Sequence, residues 1–288
     1  MFYVFYAIVW VIAWLPLRVL FLLSNFFYLI IYYIVGYRKK VVRSNLKDSF
    51  PEKSAKELIN IEKEFYRYFC DLLVETIKQI HITFPEIQKR VRFQNIELLL
   101  NQYKAGKSIF LMTAHYGNWE LSASINLLFP HNKPLYSIYK RLKNNSFDKF
   151  MKTLRKSYNG ENIEKKELLR TIIKLKNDGK TGTFGMISDQ APRENIAHYY
   201  TKFLNQNTAF LEGTDQLARK FDYPVFYLHI DRVKRGFYNC EVIPITLAPK
   251  TCVENEITEK FVRILEEKIN EKPELWLWTH NRWKYSKP

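Results

Sequence analysis

The sequence predicts an α/β fold: a mainly parallel open sheet flanked by helices, preceded by an N-terminal hydrophobic membrane-anchoring helix or helical hairpin. Three observations predict it. Residues 1–36 are almost wholly apolar, and no acidic residue occurs before Asp48. Short continuous apolar runs, too short for helices, recur along the rest of the chain. Segments with a helical rhythm lie between those runs, and such alternation implies parallel strands covered on both faces.

In chain order, the apolar leader comes first. Pro16 and Arg18 interrupt it, and residues 1–15 are too short to cross a bilayer easily. Residues 19–35 make a 17-residue run near the lower limit for a span, weakened by Ser24 and Asn25. The run fits either a true span or a shallow hairpin. Arg38, Lys39 and Lys40 come directly after it, then Arg43 and Lys47, and the positive-inside tendency puts this flank and the remainder of the chain in the cytoplasm. A cleaved signal peptide is not expected, because the charged leading region is missing. The expected organisation is a membrane anchor over residues 1–40 and a single α/β domain over 41–288.

Phe50-Pro51 with Ser54 soon after reads as one helix ending and another beginning. Residues 60–77 carry an apolar stripe (Ile61, Phe65, Tyr68, Phe69, Leu72, Leu73, Ile77) that predicts a helix. A further helix is expected over 96–103, with Asn95 as its cap. Strands are expected at 107–113, 135–139, 181–188, 224–230 and 238–245. Helices are expected at 119–128, 146–157, 166–177 and 208–221. Sheets of this kind place ligands beyond the carboxyl ends of their strands, and His115 and Asp189 both fall there.

Composition narrows the function. The formal net charge of +16 favours an anionic partner such as nucleic acid, anionic lipid, a phosphorylated glycolipid or an acidic carrier protein. Nucleic acid is disfavoured, because no zinc-finger spacing, aromatic–basic sheet motif or helix-turn-helix pattern is present. Aromatic residues make up 16% of the chain, which suits a headgroup boundary but builds ordinary cores as well. The three cysteines, Cys70, Cys240 and Cys252, form neither a metal motif nor a disulfide framework. The isolated glycines form no phosphate-binding loop or dinucleotide fingerprint, so neither ATP nor NAD is indicated.

The chemistry concentrates in His115-Tyr-Gly-Asn118-Trp119-Glu120. A buried strand ends on the histidine, and a glutamate stands five residues later at the start of a helix. A fixed carboxylate holds an imidazole in one tautomer and raises its basicity, which makes a general base for a hydroxyl. On this reading His115 is the base and Glu120 its partner, and a structural histidine is the competing reading. There is no His-Glu-x-x-His zinc site and no Gly-x-Ser-x-Gly elbow. The acyl group therefore need not rest on the enzyme, and a one-step direct transfer is more economical. Asp189 either orients an acceptor group or secures a basic residue near the site, or it caps a strand-end turn. Lys140, Arg141 and Arg155 either bind phosphate or form a solvated face. Arg282 and Lys284 either meet a lipid phosphate or an acidic carrier, or form a surface cluster. His280 ranks behind His115, and Trp276 and Trp278 are expected to pack the core.

These motifs, taken in order, resemble the lipid A biosynthesis late acyltransferases (lauroyl and myristoyl transferases) within the lysophospholipid acyltransferase superfamily. The resemblance covers nearly the whole chain. It runs from the apolar leader and Arg43-Ser-Asn45-Leu46-Lys-Asp-Ser-Phe50-Pro51 through the His115–Glu120 box. It continues through Tyr139-Lys140-Arg141 with Asn144, Asn145 and Asp148, then Ser188-Asp189-Gln190. It closes on Pro273-Glu274-Leu-Trp276-Leu-Trp278-Thr-His280-Asn-Arg282-Trp283-Lys284. It implies an inner-membrane enzyme, with its catalytic domain facing the cytoplasm, that moves a fatty acyl group from an acyl-carrier-protein thioester, or from acyl-CoA. The acceptor would be the hydroxyl of an acyl chain on a phosphorylated lipid A precursor. The resemblance implies no cofactor and no metal. By carry-over His115 and Glu120 are catalytic, and Asn118, Lys140, Arg141, Arg155, Asp189, Gln190 and Arg282 bind substrate. The chain departs from the family at Lys140, where arginine is usual, at Phe203-Leu204-Asn205, where Phe-Phe-Gly is common, and at Asn281, where a second arginine is common. These departures keep open another glycolipid or an aminolipid as acceptor. A noncatalytic basic protein of the membrane surface is the non-enzyme alternative.

Overall fold

The computed structural model describes the backbone of all residues except 1, 131–132, 142–143, 157, 193–196 and 285–288, and within those the side chains of all but 2–5, 147 and 154–156. The apolar leader forms α1 (Phe2–Ala13) and α2 (Leu17–Tyr28), and α2 continues as a π-helical stretch, Leu29–Val35. Pro16 sits between the two helices with an extended backbone, because its ring lacks the N–H a continuing helix needs. Gly36 closes the stretch in the left-handed region. Next come α3 (Lys39–Ser49) and the 24-residue α4 (Ala55–Lys78). In agreement with the sequence reading, α4 starts at Ser54, whose side chain accepts from the Glu57 N–H while the Glu57 carboxylate accepts from the Ser54 N–H.

The central sheet begins after α5 (Phe84–Arg90). In order come β1 (Val91–Gln94), α6 (Glu97–Lys104), β2 (Ile109–Thr113), a 3-10 helix (Leu121–Leu128) and β3 (Leu135–Tyr139). Then come α7 (Asn145–Lys156), β4 (Glu161–Glu164), α8 (Leu168–Asn177) and β5 (Thr183–Ile187). A separate hairpin, β6 (Tyr199–Phe203) with β7 (Gln206–Phe210), precedes α9 (Gly213–Phe221). The long strands β8 (Val225–Lys234) and β9 (Phe237–Thr246) and the helix α10 (Glu256–Glu271) complete the domain. Among the described residues the main sheet has strand order β1-β9-β8-β2-β5-β3-β4, and only the β8–β9 pair is antiparallel.

Alternation along the buried strands sends side chains into two cores. Phe110, Met112, Val225 and Tyr227 face the core shared with α3, α4 and α10. Ile109, Leu111, Phe226 and Leu228 face the core under α6 and the 3-10 helix. The five expected strands are all present, and most of the expected helices are.

Three expectations need correction. The segment 208–221 is not one helix, because Thr208 to Phe210 belong to β7. The segment after the box is a 3-10 helix and not an α-helix. Asn95 does not cap α6. Its backbone is left-handed (φ 59°), and its side-chain amide donates to the carbonyl of Val242.

Candidate active site

β2 and β5 are parallel neighbours, with Thr113 opposite Ile187, so both strands end on the same rim. The Ser188 N–H donates to the Thr113 carbonyl at 3.0 Å and carries the pairing one step further. Continuing past those ends brings His115 and Asp189 together, although they lie 74 positions apart in sequence. His115 Nδ1 is 2.7 Å from Asp189 Oδ1. The His115 backbone N–H donates to Asp189 Oδ2 at 2.9 Å, and the Trp276 indole N–H donates to the same oxygen at 2.9 Å.

Asp189 is only 3% exposed, which on its own would raise its carboxyl pKa. The His115 charge and the bonds from His115 and Trp276 outweigh that burial and hold it down to about 2. An ionised Asp189 can only accept, so Nδ1 carries the ring proton and Nε2 carries the lone pair. The amide Nε2 of the exposed Gln190 lies 3.1 Å from that ring nitrogen and donates to it. The His115 side chain is 14% exposed, and the Trp119 ring packs edge-on against it at 5.0 Å. A hydroxyl that displaced the Gln190 amide would meet a ready proton acceptor.

The box therefore works differently from the sequence reading. The carboxylate at Nδ1 is Asp189 and not Glu120. Glu120 is the residue from which the 3-10 helix Leu121–Leu128 starts. The turn between the two residues is tight. Gly117 is left-handed (φ 58°), and its Cα approaches β8 so closely that a Cβ there would lie 2.2 Å from the Ile230 carbonyl oxygen. Asn118, expected to bind substrate, is 0% exposed and faces the core. Its amide donates to Glu75 Oε2 at 2.7 Å, and its oxygen accepts from the Leu121 N–H at 3.1 Å. In this structure it shapes the loop from inside.

The C-terminal tail clamps the same loop. The Leu277 N–H donates to the His115 carbonyl and the Gly117 N–H to the Leu275 carbonyl, both at 3.1 Å. Trp276 and Trp278 are buried, as expected. Trp278 donates its indole N–H to the Pro273 carbonyl at 2.6 Å. Arg38 Nη1 holds the Thr279 carbonyl at 2.8 Å, and the Asn45 amide holds the carbonyls of Trp278 and His280 at 2.9 and 3.0 Å. The exit of the leader is thus tied to the strap that carries Trp276. Burial, with a contribution from nearby Arg282, pushes the His280 pKa down to about 4, which leaves its imidazole neutral at pH 7.

Arg282, expected at a lipid phosphate or carrier surface, is instead enclosed, at 2% exposure. Its Nη2 donates to the Ala209 carbonyl at 2.5 Å, its guanidinium lies over the Phe210 ring, and its Nε has no partner among the described residues. Burial lowers its pKa to about 10, with the charge of Asp189 acting the other way. Lys140 and Arg141 are exposed and lie just past β3, which runs parallel to β5 and ends on the His115 rim. Arg141 Nη2 donates to Asn145 Oδ1 at 3.2 Å. The Arg155 side chain lies outside the described residues. The departure at Phe203-Leu204-Asn205 is the β6–β7 turn. Leu204 and Asn205 are both left-handed, and the turn is held by Glu266, which accepts from the Leu204 N–H, and by Asn205 donating to the Ser49 carbonyl.

Sequence reasoning misses the roles of Trp276, Arg38 and Asn45. A usable signal exists for Trp276, because a buried indole N–H seeks an acceptor.

The profile of the family described as bacterial lipid A biosynthesis acyltransferase matches residues 1–285 of this chain. The chain belongs to that family. Among its relatives, the lipid A biosynthesis palmitoleoyltransferase of Escherichia coli (strain K12) is 23% identical over 249 residues, which cover 86% of this chain and 79% of that protein. The lipid A biosynthesis acyltransferase of Shigella flexneri is similar to the same extent, with the same coverage. This acyltransferase therefore carries its family's box on a rim where Asp189 orients the imidazole.

Proposed function

We propose that this acyltransferase moves a fatty acyl group from an acyl-carrier-protein thioester to the hydroxyl of an acyl chain on a lipid A precursor, at the cytoplasmic face of the inner membrane. The carrying observation is the His115 imidazole, held as the Nδ1–H tautomer by Asp189, with Nε2 at the rim under the exposed Gln190. Nε2 takes the proton of the acceptor hydroxyl as its oxygen bonds to the thioester carbonyl carbon. A tetrahedral oxyanion forms. The C–S bond then breaks, and the imidazolium returns the proton to the leaving thiolate, so that an ester and a thiol result. Asp189 stabilises the imidazolium by its charge. Glu120, adjoining the Trp119 ring that packs on the imidazole, serves as a second carboxylate favouring that charged state.

The basic character of the chain supports an acidic carrier and a phosphorylated acceptor. Lys140 and Arg141, exposed after β3 on the same rim, are suited to meet the acceptor phosphate, with a lysine offering a point charge where arginine would offer a fork. Arg155 completes that group in our reading. The apolar leader supports an acceptor that resides in lipid.

The test is transfer by purified full-length protein, with acyl carrier protein or coenzyme A thioester as donor and lipid A precursor as acceptor. We expect product with the carrier donor, and a loss of at least a thousandfold in His115→Ala with its fold retained. Wild-type turnover in that variant would remove His115 as base. Mass spectrometry of total lipid from cells with and without the gene identifies the acceptor. A mass shift confined to another glycolipid or an aminolipid would replace lipid A in this reading.

A further inference from the structure

The leader helices show solvent a broad apolar face, but the opposite face of α2 is fixed along a charged helix. At one end of the leader the Tyr66 hydroxyl donates to the Tyr37 carbonyl at 2.5 Å, and the Tyr32 and Tyr66 rings pack at 5.3 Å. In the middle Ser24 donates to the buried Asp71 at 2.6 Å. Just before α2 begins the Lys78 ammonium holds the carbonyls of Ala13 and Leu15 at 3.2 Å each, and Trp14 stacks on His81 at 4.4 Å. The partners 66, 71 and 78 all lie on α4, so α2 runs antiparallel to it over its whole length. Two arginines at the end of β8 join the middle. Arg232 Nη2 reaches Asp71 at 2.6 Å. Arg235 Nε reaches the two Asp71 oxygens at 3.0 and 2.9 Å, while its Nη2 holds the Phe21 carbonyl and Asn25 Oδ1 at 3.1 and 2.8 Å.

Residues Leu17–Val35 form one helix long and apolar enough to cross a membrane. They span about 28 Å, and α4 beside them spans about 36 Å, at 1.5 Å per residue. But α4 carries Lys63, Glu64, Arg67, Asp71, Glu75 and Lys78, a charge at nearly every turn. If Leu17–Val35 stood across a bilayer, Asp71, Arg232 and Arg235 would lie at its midplane. Charged side chains are costly there, and the strand-end backbone they belong to has no place in hydrocarbon.

We propose that residues 2–37 form an in-plane anchor lying along one leaflet of an anionic bilayer, with both ends of Leu17–Val35 on the same side as the catalytic domain. Trp10, Trp14, Leu22, Phe26, Tyr33 and Ile34 are exposed and provide the face that enters the acyl boundary. Exposed Arg18, Arg38, Lys40 and Lys234 flank it, with no acidic residue before Asp48, so the rim of this face complements anionic headgroups. The tryptophans suit the headgroup level.

Full-length protein with Cys252→Ser, carrying either Arg18→Cys or Lys250→Cys, is treated with a membrane-impermeant maleimide in intact spheroplasts, in inverted vesicles and in detergent. Lys250 is an exposed residue of the catalytic domain. We expect both positions to react from the same side of the membrane. Reaction of position 18 from the opposite side, or only in detergent, overturns the in-plane anchor. Leu22→Ser with Phe26→Ser is expected to lower binding to vesicles containing anionic phospholipid at least tenfold. Binding at the wild-type level would remove this face as the lipid contact. Neither readout depends on turnover, so failure of the proposed reaction would leave this inference standing.

Discussion

Trp276 donates its indole N–H to Asp189 at 2.9 Å across 87 positions of sequence. That bond joins the C-terminal strap to the carboxylate that holds the His115 imidazole. Trp276→Phe keeps an aromatic ring in the buried site and removes the donor. A hydrogen bond to a charged group contributes about 1.5–3 kcal/mol. We expect kcat to fall roughly ten- to a hundredfold, as that range implies, with KM little changed. Steady-state kinetics with both substrates varied check this. A variant altered only in KM would place Trp276 with substrate instead.

Asp189→Asn tests the orientation itself. The amide cannot supply the charge, and its N–H₂ can impose the wrong tautomer. We expect a loss on the order of a thousandfold or more in kcat. The acidic limb of the residual pH–rate profile should move to lower pH, because a neutral neighbour no longer favours the imidazolium. Glu120→Gln should lower turnover with a smaller displacement of that limb. If the Glu120 variant moves the limb further, Glu120 and not Asp189 tunes the ring. The carboxyl of Asp189, held down to about 2, also bears on stability. Its contribution is present above the ordinary value of 3.8 and is lost as pH falls through about 2.

Glu75 gives the opposite dependence. Burial pushes its carboxyl up to about 7, against the bonds from Tyr238 and Asn118, and its Oε1 has no partner among the described residues. A raised carboxyl contributes stability that is complete below about 4.5 and is lost as pH rises through about 7. Glu75→Gln should therefore leave unfolding near pH 4.5 almost unchanged and stabilise the protein at pH 8 by on the order of 3 kcal/mol. Denaturant unfolding at the two pH values decides this. A stabilisation that is the same at both would refute it.

Gly117→Ala should fail for a backbone reason. The left-handed turn disfavours a Cβ, and here that Cβ would meet the Ile230 carbonyl oxygen at 2.2 Å. The combined cost is about 2–5 kcal/mol. Thermal unfolding should show the loss, and turnover should fall with it as the His115 loop shifts.

How much the sequence reveals depends on whether a residue acts through its own segment or through a distant one. The strands at 109–113 and 183–187 announce themselves because both their faces are buried and read as apolar runs. β4 (Glu161–Glu164) is a charged edge strand and gives no such signal. α10 does carry one, in the spacing of Ile257, Phe261, Leu265 and Ile269, although it is not among the expected helices. At the site, His115 is visible because it ends a buried strand. Its partner is not, because nothing local distinguishes a carboxylate five residues away from one on the next strand of the sheet. Arg282 misleads for a related reason. A basic residue in an aromatic tail suggests an exposed patch, and only the packing of Phe210 and Ala209 around it shows the enclosure.

The direction of β8 has a consequence for how a glycolipid acceptor arrives. β8 runs parallel to β2, so Arg232 and Arg235 leave the sheet on the edge where His115 stands, and there Arg235 grips α2 while Arg232 grips Asp71 of α4 beside it. Leader and imidazole thus share one edge of the molecule. An amphiphile diffusing sideways in the leaflet can present its headgroup to that edge while its hydrocarbon stays submerged. Drawing each methylene into water would otherwise cost about 0.8 kcal/mol, so the geometry turns a steep climb into a short lateral step.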